Sequence, residues 1–174
     1  YQLTGDTELA DKHYRKALTL SPDEPMLHNN YGVFLCRQER YREAEEHFLD
    51  AIGQAFYRLP EVAYKNAGAC AYSAGEVEKA EQYYRKALRL RPRMATALLG
   101  MAELKEGQGA HLSARAFLQR YGEVAAATPQ SLWLGVKVER ALGDGKAAAQ
   151  YAAELRRRFP TAEETSRLEE LESP

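Results

Sequence analysis

β-Branched residues are scarce in this chain of 174 residues, which has one Ile, six Val and seven Thr. Such residues fill strands, so their scarcity excludes a sheet-based fold. The abundance of good helix formers predicts an all-α one. No apolar run approaches the roughly 20 residues that span a bilayer. Neither sign of charge dominates: the formal net charge is −1, which argues against a nucleic-acid footprint. The one basic cluster, Arg156-Arg157-Arg158, falls at a predicted helix C-terminus, where cations complement the macrodipole.

Catalytic signatures are missing too. There is no phosphate-binding G-x-x-x-x-G-K-S/T loop and no G-x-S-x-G elbow. Glu45-Glu46-His47 lacks the second His of a helical zinc motif, and Gly107-Gln-Gly109 follows no predicted strand. His13, His28, His47 and His111 fall on different predicted helices. The expectation is therefore no enzyme, no cofactor and no metal site. Cys36 and Cys70 are the only cysteines. Two readings stand for them: small buried hydrophobes, or a disulfide between neighbouring repeats in an oxidising compartment.

What the sequence does have is a repeat. From Glu61 to Met94 it reads as one helix–turn–helix unit: Tyr64, Ala67, Gly68 and Ala71, then Ala80 and Tyr84, then Pro92. This is the tetratricopeptide (TPR) pattern, which recurs about every 34 residues. Gly68 and Ala80 let two helix backbones approach, Tyr64 and Tyr84 fill the space beside them, and Gly75 suits a helix end needing positive φ. Pro92 stops the second helix.

The same frame recurs along the chain. Ala44, Phe48 and Ala51 lie 36 residues before Ala80, Tyr84 and Ala87, preceded by Tyr31, Gly32 and Leu35. The two extra residues are placed in the turn around Gly53 to Pro60, which carries Phe56, Tyr57 and Arg58. Ala10, Tyr14 and Ala17 lie one further repeat back, with Pro22 closing and Gly5 matching Gly75. Tyr1 then falls on a consensus position of a first helix, so the chain is expected to begin inside a repeat. Forward, Ala114 and Leu118 repeat the pair, then Leu134, Gly135 and Val138, then Ala147, Tyr151 and Pro160. Thr161 to Glu164 reads as a capping box, with Leu168 and Leu171 as the apolar stripe of a capping helix. The expected fold is a single right-handed TPR superhelix of stacked antiparallel helix pairs. It has a partial repeat 1–24, repeats at about 25–60, 61–94, 95–127 and 128–160, and a cap at about 161–172.

In TPR arrays the first helix of each pair lines the concave side. Carried over, that face holds Met26, Asn29, Val33, Cys36 and Arg37, then Val62, Lys65, Ala69, Tyr72 and Ser73, then Thr96, Leu99, Glu103, Glu106 and Gly107. Such a mixed lining suits a peptide. A chaperone-type carboxylate clamp is not expected, because Ala69 stands where it needs Asn, and Thr96 and Gly100 stand where it needs cations. Asn30 and Asn66, at equivalent positions, read as structural amides, and Asn29 as the better ligand candidate. Phe56 and Tyr57 either plug the gap between repeats or form an exposed hot spot.

The string Leu27-His-Asn-Asn-Tyr-Gly-Val-Phe-Leu-Cys36, with Glu39-Arg-Tyr-Arg-Glu-Ala-Glu45 and Tyr64-Lys-Asn-Ala-Gly-Ala-Cys70, resembles the PilF/PilW family. These are TPR lipoproteins of type IV pilus biogenesis, also called pilotins. The resemblance is close over about residues 10–100 and generic beyond. It implies a non-catalytic scaffold on the periplasmic face of the outer membrane that helps the pilus secretin to localise and assemble. Its partner would be the secretin or another pilus assembly protein. It would touch the membrane only through a lipid anchor that this chain does not carry. That setting also favours the disulfide reading. The residues expected to bind the partner are Asn29, Val33, Arg37, Lys65 and Tyr72, with Phe56 and Tyr57 as a further candidate surface. The alternative is a generic TPR adaptor in the cytoplasm. An enzyme-associated TPR domain would need a catalytic domain outside this chain.

Overall fold

The computed structural model describes residues 2–172. Among these, helices account for all the regular structure, in two compact units. The first, up to Pro92, contains α1 (Gln2–Leu20), α2 (Pro25–Arg37), α3 (Tyr41–Gly53), α4 (Pro60–Ser73) and α5 (Val77–Leu90). The second, from Arg93, contains α6 (Ala95–Gly107), α7 (His111–Gly122), α8 (Pro129–Ala141), α9 (Gly145–Arg158) and α10 (Glu163–Glu172). In the first unit α2 pairs with α3 and α4 with α5, and α3 packs on α4. In the second, α6 pairs with α7 and α8 with α9, α7 packs on α8, and α10 covers α8 and α9.

Three hairpins, α2–α3, α4–α5 and α8–α9, close on a glycine set against an aromatic ring. A Cβ added to Gly32 would meet the Phe48 ring at 2.7 Å, one at Gly68 the Tyr84 ring at 3.0 Å, and one at Gly135 the Tyr151 ring at 2.6 Å. These are the glycine of one helix and the aromatic of the A-x-x-x-aromatic pair in the next, repeated in like surroundings. Ala44 and Ala80 are fully buried at the first two of these crossings, and Ala114 at the α6–α7 crossing, so backbones approach where side chains are smallest. The turns repeat as well. Gly75, Gly109 and Gly143 each take positive φ, and Glu39 holds the equivalent place in the α2–α3 turn at φ 60°.

The residue after Ala10, Ala44 and Ala114 reaches across to the next hairpin. Asp11 accepts from the Tyr31 hydroxyl (2.8 Å) and Arg40 Nη1 (2.6 Å). Glu45 accepts from Lys79 Nζ (2.9 Å) and the Tyr83 hydroxyl (2.5 Å). Arg115 donates through Nε to the buried Glu139 (3.0 Å). Burial alone would raise the Asp11 carboxyl, but hydrogen bonds from Arg15, Arg40 and Tyr31 outweigh it and hold the group at about 2, below its ordinary 3.8. A depressed carboxyl contributes stability that is complete above the unfolded value and is lost as pH falls through the folded one. The loss therefore falls between pH 3.8 and about 2. Denaturant titrations should show Asp11→Asn less stable than the parent by about 1–2 kcal/mol near neutrality, after solvent screening. That gap should close as the pH is lowered to about 2; a gap independent of pH would contradict the assignment.

Three expectations are corrected. α1 runs unbroken through Gly5, so no helix end forms there. A glycine inside a helix costs only about 1 kcal/mol against alanine, less than the hydrogen bonds a break would forfeit. Tyr1 lies outside the described residues. The capping box at Thr161–Glu164 does not form either, because α10 begins at Glu163. Ala162 N (3.1 Å) and the Thr165 hydroxyl (2.6 Å) both donate to Phe159 O and turn the chain there. A capping box stands instead at α8, between Thr128 and Ser131. Finally, Leu168 is buried but Leu171 points outward.

Candidate functional site

α2 and α4 lie side by side, and Cys36 and Cys70 are bonded across them, their Cα atoms 5.8 Å apart. Over this bond runs a shallow groove lined by Val33, Cys36 and Arg37 from α2 and by Asn66, Ala69 and Ser73 from α4, with Phe48 at its floor. Arg37, Ala69 and Ser73 are exposed, whereas Val33 is half-buried. The groove thus presents an apolar floor with the exposed Arg37 at the C-terminal end of α2. That combination can hold an extended or helical peptide that offers small apolar side chains and a negative charge.

The structure rearranges the other expected residues. Asn29 is 4% exposed and accepts from Asn66 Nδ2 at 2.9 Å, while its own Nδ2 donates to Asn30 Oδ1 at 3.4 Å. It ties α2 to α4 beneath the groove and cannot face a ligand, whereas Asn30, expected to be structural, is exposed. Lys65 is half-buried and donates to Asn66 Oδ1, and burial lowers its ammonium below the ordinary value. Tyr72 is half-buried on α4 outside the lining. In the α3–α4 turn the two rings part company. Phe56 is 61% exposed, and Tyr57 is 9% exposed against Ala51, Ile52 and Ala63. Tyr57 is therefore a plug, and only Phe56 remains available to a partner.

In the second unit the corresponding positions are engaged. Glu106 accepts from Lys137 Nζ at 2.8 Å, and Glu103 accepts from Gln130. Burial raises the Glu103 carboxyl above its ordinary value despite that bond. These bridges join α6 to α8 where the first unit has the open groove.

Sequence reasoning missed one cluster. His28 on α2 and His47 on α3 meet with Nδ1 atoms 2.9 Å apart, and Asp50 comes within 3.5 Å of His28. The residues fall on different helices, as the sequence indicated, but those two helices form one hairpin. A signal existed: His47 and Asp50 lie one turn apart on one helix face.

Comparison with known proteins agrees with this architecture. Profiles described as tetratricopeptide repeat match residues 1–24, 23–93 and 71–133. The crystal structure of PilW, a widely conserved type IV pilus biogenesis factor, superposes with a TM-score of 0.86 at 32% identity. The match covers 97% of this chain and 77% of PilW. This chain belongs to the PilF/PilW family. PilF of Pseudomonas aeruginosa superposes with a TM-score of 0.82 at 28% identity, over 99% of this chain and 78% of that one. In sequence, the type IV pilus assembly protein PilF of the same organism is 30% identical over 160 residues, 92% of this chain. The chain spans 64% of that relative's length. Kinship with TPR proteins of pilus biogenesis, together with the open groove, supports a protein-binding scaffold.

Proposed function

We propose that this member of the PilF/PilW family is a non-catalytic scaffold that binds a pilus assembly protein in the α2–α4 groove. We further propose that it promotes outer-membrane localisation and assembly of the pilus secretin from the periplasmic side. The observation that carries the proposal is the groove itself: an apolar floor between Val33, Ala69 and Ser73, flanked by Arg37. The Cys36–Cys70 bond supports the compartment, because disulfides persist in the periplasm and are rare in the cytosol.

Asn29 and Lys65 are poor places to test this, since both are built into the amide network under the groove. Arg37 and Ala69 are exposed and can be changed without disturbing packing. In piliated cells the double variant Arg37→Glu, Ala69→Arg should keep its helical circular dichroism and abolish pilus assembly. Secretin should also fall in the outer-membrane fraction. Normal piliation with this variant would reject the groove as the binding face.

A further inference from the structure

The His28–His47–Asp50 cluster lies apart from the groove and plays no part in the proposed function. His28 is 7% exposed. Its Nε2 sits 2.7 Å from Pro22 O, and since a carbonyl only accepts, Nε2 carries the proton. With its proton on Nε2, the neutral form of this ring turns an Nδ1 lone pair toward His47 Nδ1, 2.9 Å away. A backbone carbonyl fixing the far nitrogen of an imidazole is the orienting contact that metal-binding histidines use. The His47 ring is held against Tyr31, with centroids 4.7 Å apart, so both rings are positioned by packing. Asp50 supplies an oxygen, and the three ligand atoms lie within 4.8 Å of one another. Its side chain is 58% exposed, which leaves a path for an ion and room for water to complete the shell.

We propose that His28, His47 and Asp50 form a binding site for a divalent ion of the zinc class, spanning the α2–α3 hairpin. Two imidazoles and a carboxylate, with a water in the fourth place, are a known tetrahedral zinc set. Mg²⁺ and Ca²⁺ prefer oxygen shells and would be poorly served. Ligands about 2.0–2.2 Å from a tetrahedral ion stand roughly 3.3–3.5 Å apart, so the two nitrogens need separate by only a few tenths of an ångström. In the metal-free form His47 Nδ1–H satisfies the His28 lone pair. On binding, that proton moves to His47 Nε2, both Nδ1 atoms face the ion, and no net proton is lost from the neutral rings. The bonded cysteines offer no competing thiolate.

Calorimetric titration of the tag-free, oxidised chain with zinc chloride near neutral pH should show saturable uptake of about one ion per chain. Magnesium chloride should show none. Asp50→Ala and His47→Gln should each weaken zinc binding more than about tenfold, with circular dichroism unchanged. His13→Ala and His111→Ala should bind as the parent does. No uptake by the parent overturns the site, and so does uptake unaffected by Asp50→Ala or dependent on His13 or His111. Asp50 is exposed, so its variant keeps the test decisive even if His47→Gln unfolds.

Discussion

Reduction of the Cys36–Cys70 bond should destabilise the chain by about 2–4 kcal/mol. The bond closes a loop of 34 residues that contains the whole of α3 and the turn after it. Opening such a loop returns chain entropy to the unfolded state worth about 3–4 kcal/mol on the polymer account. The folded state changes little, since Leu35, Phe48, Ala67 and Ala71 around the bond remain packed. Thermal melts with and without a non-thiol reductant measure the effect. The double variant Cys36→Ala, Cys70→Ala should melt near the reduced parent and be indifferent to the reductant. An unchanged melt on reduction would mean that the bond staples nothing.

The second large effect has a counter-intuitive sign. Glycine to alanine inside a helix ordinarily stabilises by about 1 kcal/mol. At Gly32 the new Cβ would lie 2.7 and 2.9 Å from two Phe48 ring atoms and 3.1 Å from the Ala44 carbonyl. Phe48 is 1% exposed, so its ring has nowhere to swing and α2 must move off α3. Overpacking of this kind costs about 1–3 kcal/mol or more. Taking the upper end, Gly32→Ala should lose about 2 kcal/mol net, a fall in Tm of about 4–8 °C. Gly53→Ala meets nothing within 4 Å and should be neutral or slightly stabilising. Gly135→Ala should cost less than Gly32→Ala, because Tyr151 is only half-buried. Combining Gly32→Ala with Phe48→Leu should recover part of the loss, a coupling that a double-mutant cycle reads directly. Additive losses would place the strain elsewhere.

The repeat frame was legible because packing dictates residue type. A crossing admits Gly or Ala only, so Gly32, Gly68, Ala44 and Ala80 mark the hairpins in the sequence itself. Cys36 and Cys70, one repeat apart, were placed on neighbouring first helices for the same reason. Direction within a helix was harder to read. Asn30 and Asn66 are equivalent in sequence, and equivalence suggests a shared structural duty. Residues at equivalent places in stacked hairpins need not touch, however, and the bond runs from Asn66 to Asn29, one residue along. One residue turns a helix by about 100°, enough to exchange a buried amide for an exposed one. The charges after Ala10, Ala44 and Ala114 are in plain view in the sequence. Their partners, from Tyr31 to Glu139, depend on side-chain reach that no spacing rule carries. His28 and His47 lie 19 residues apart on different helices, and only the hairpin brings them together.

Site-specific photo-crosslinking at Ala69, in cells assembling type IV pili, tests the central claim most directly. Ala69 is exposed on α4 and lines the groove; Gln82, exposed on α5 and outside the lining, is the control. The account predicts a crosslink to the secretin or another pilus assembly protein from position 69, lost when Arg37→Glu is added and absent from position 82. A partner captured equally from both positions, or no pilus protein captured from position 69, would contradict it.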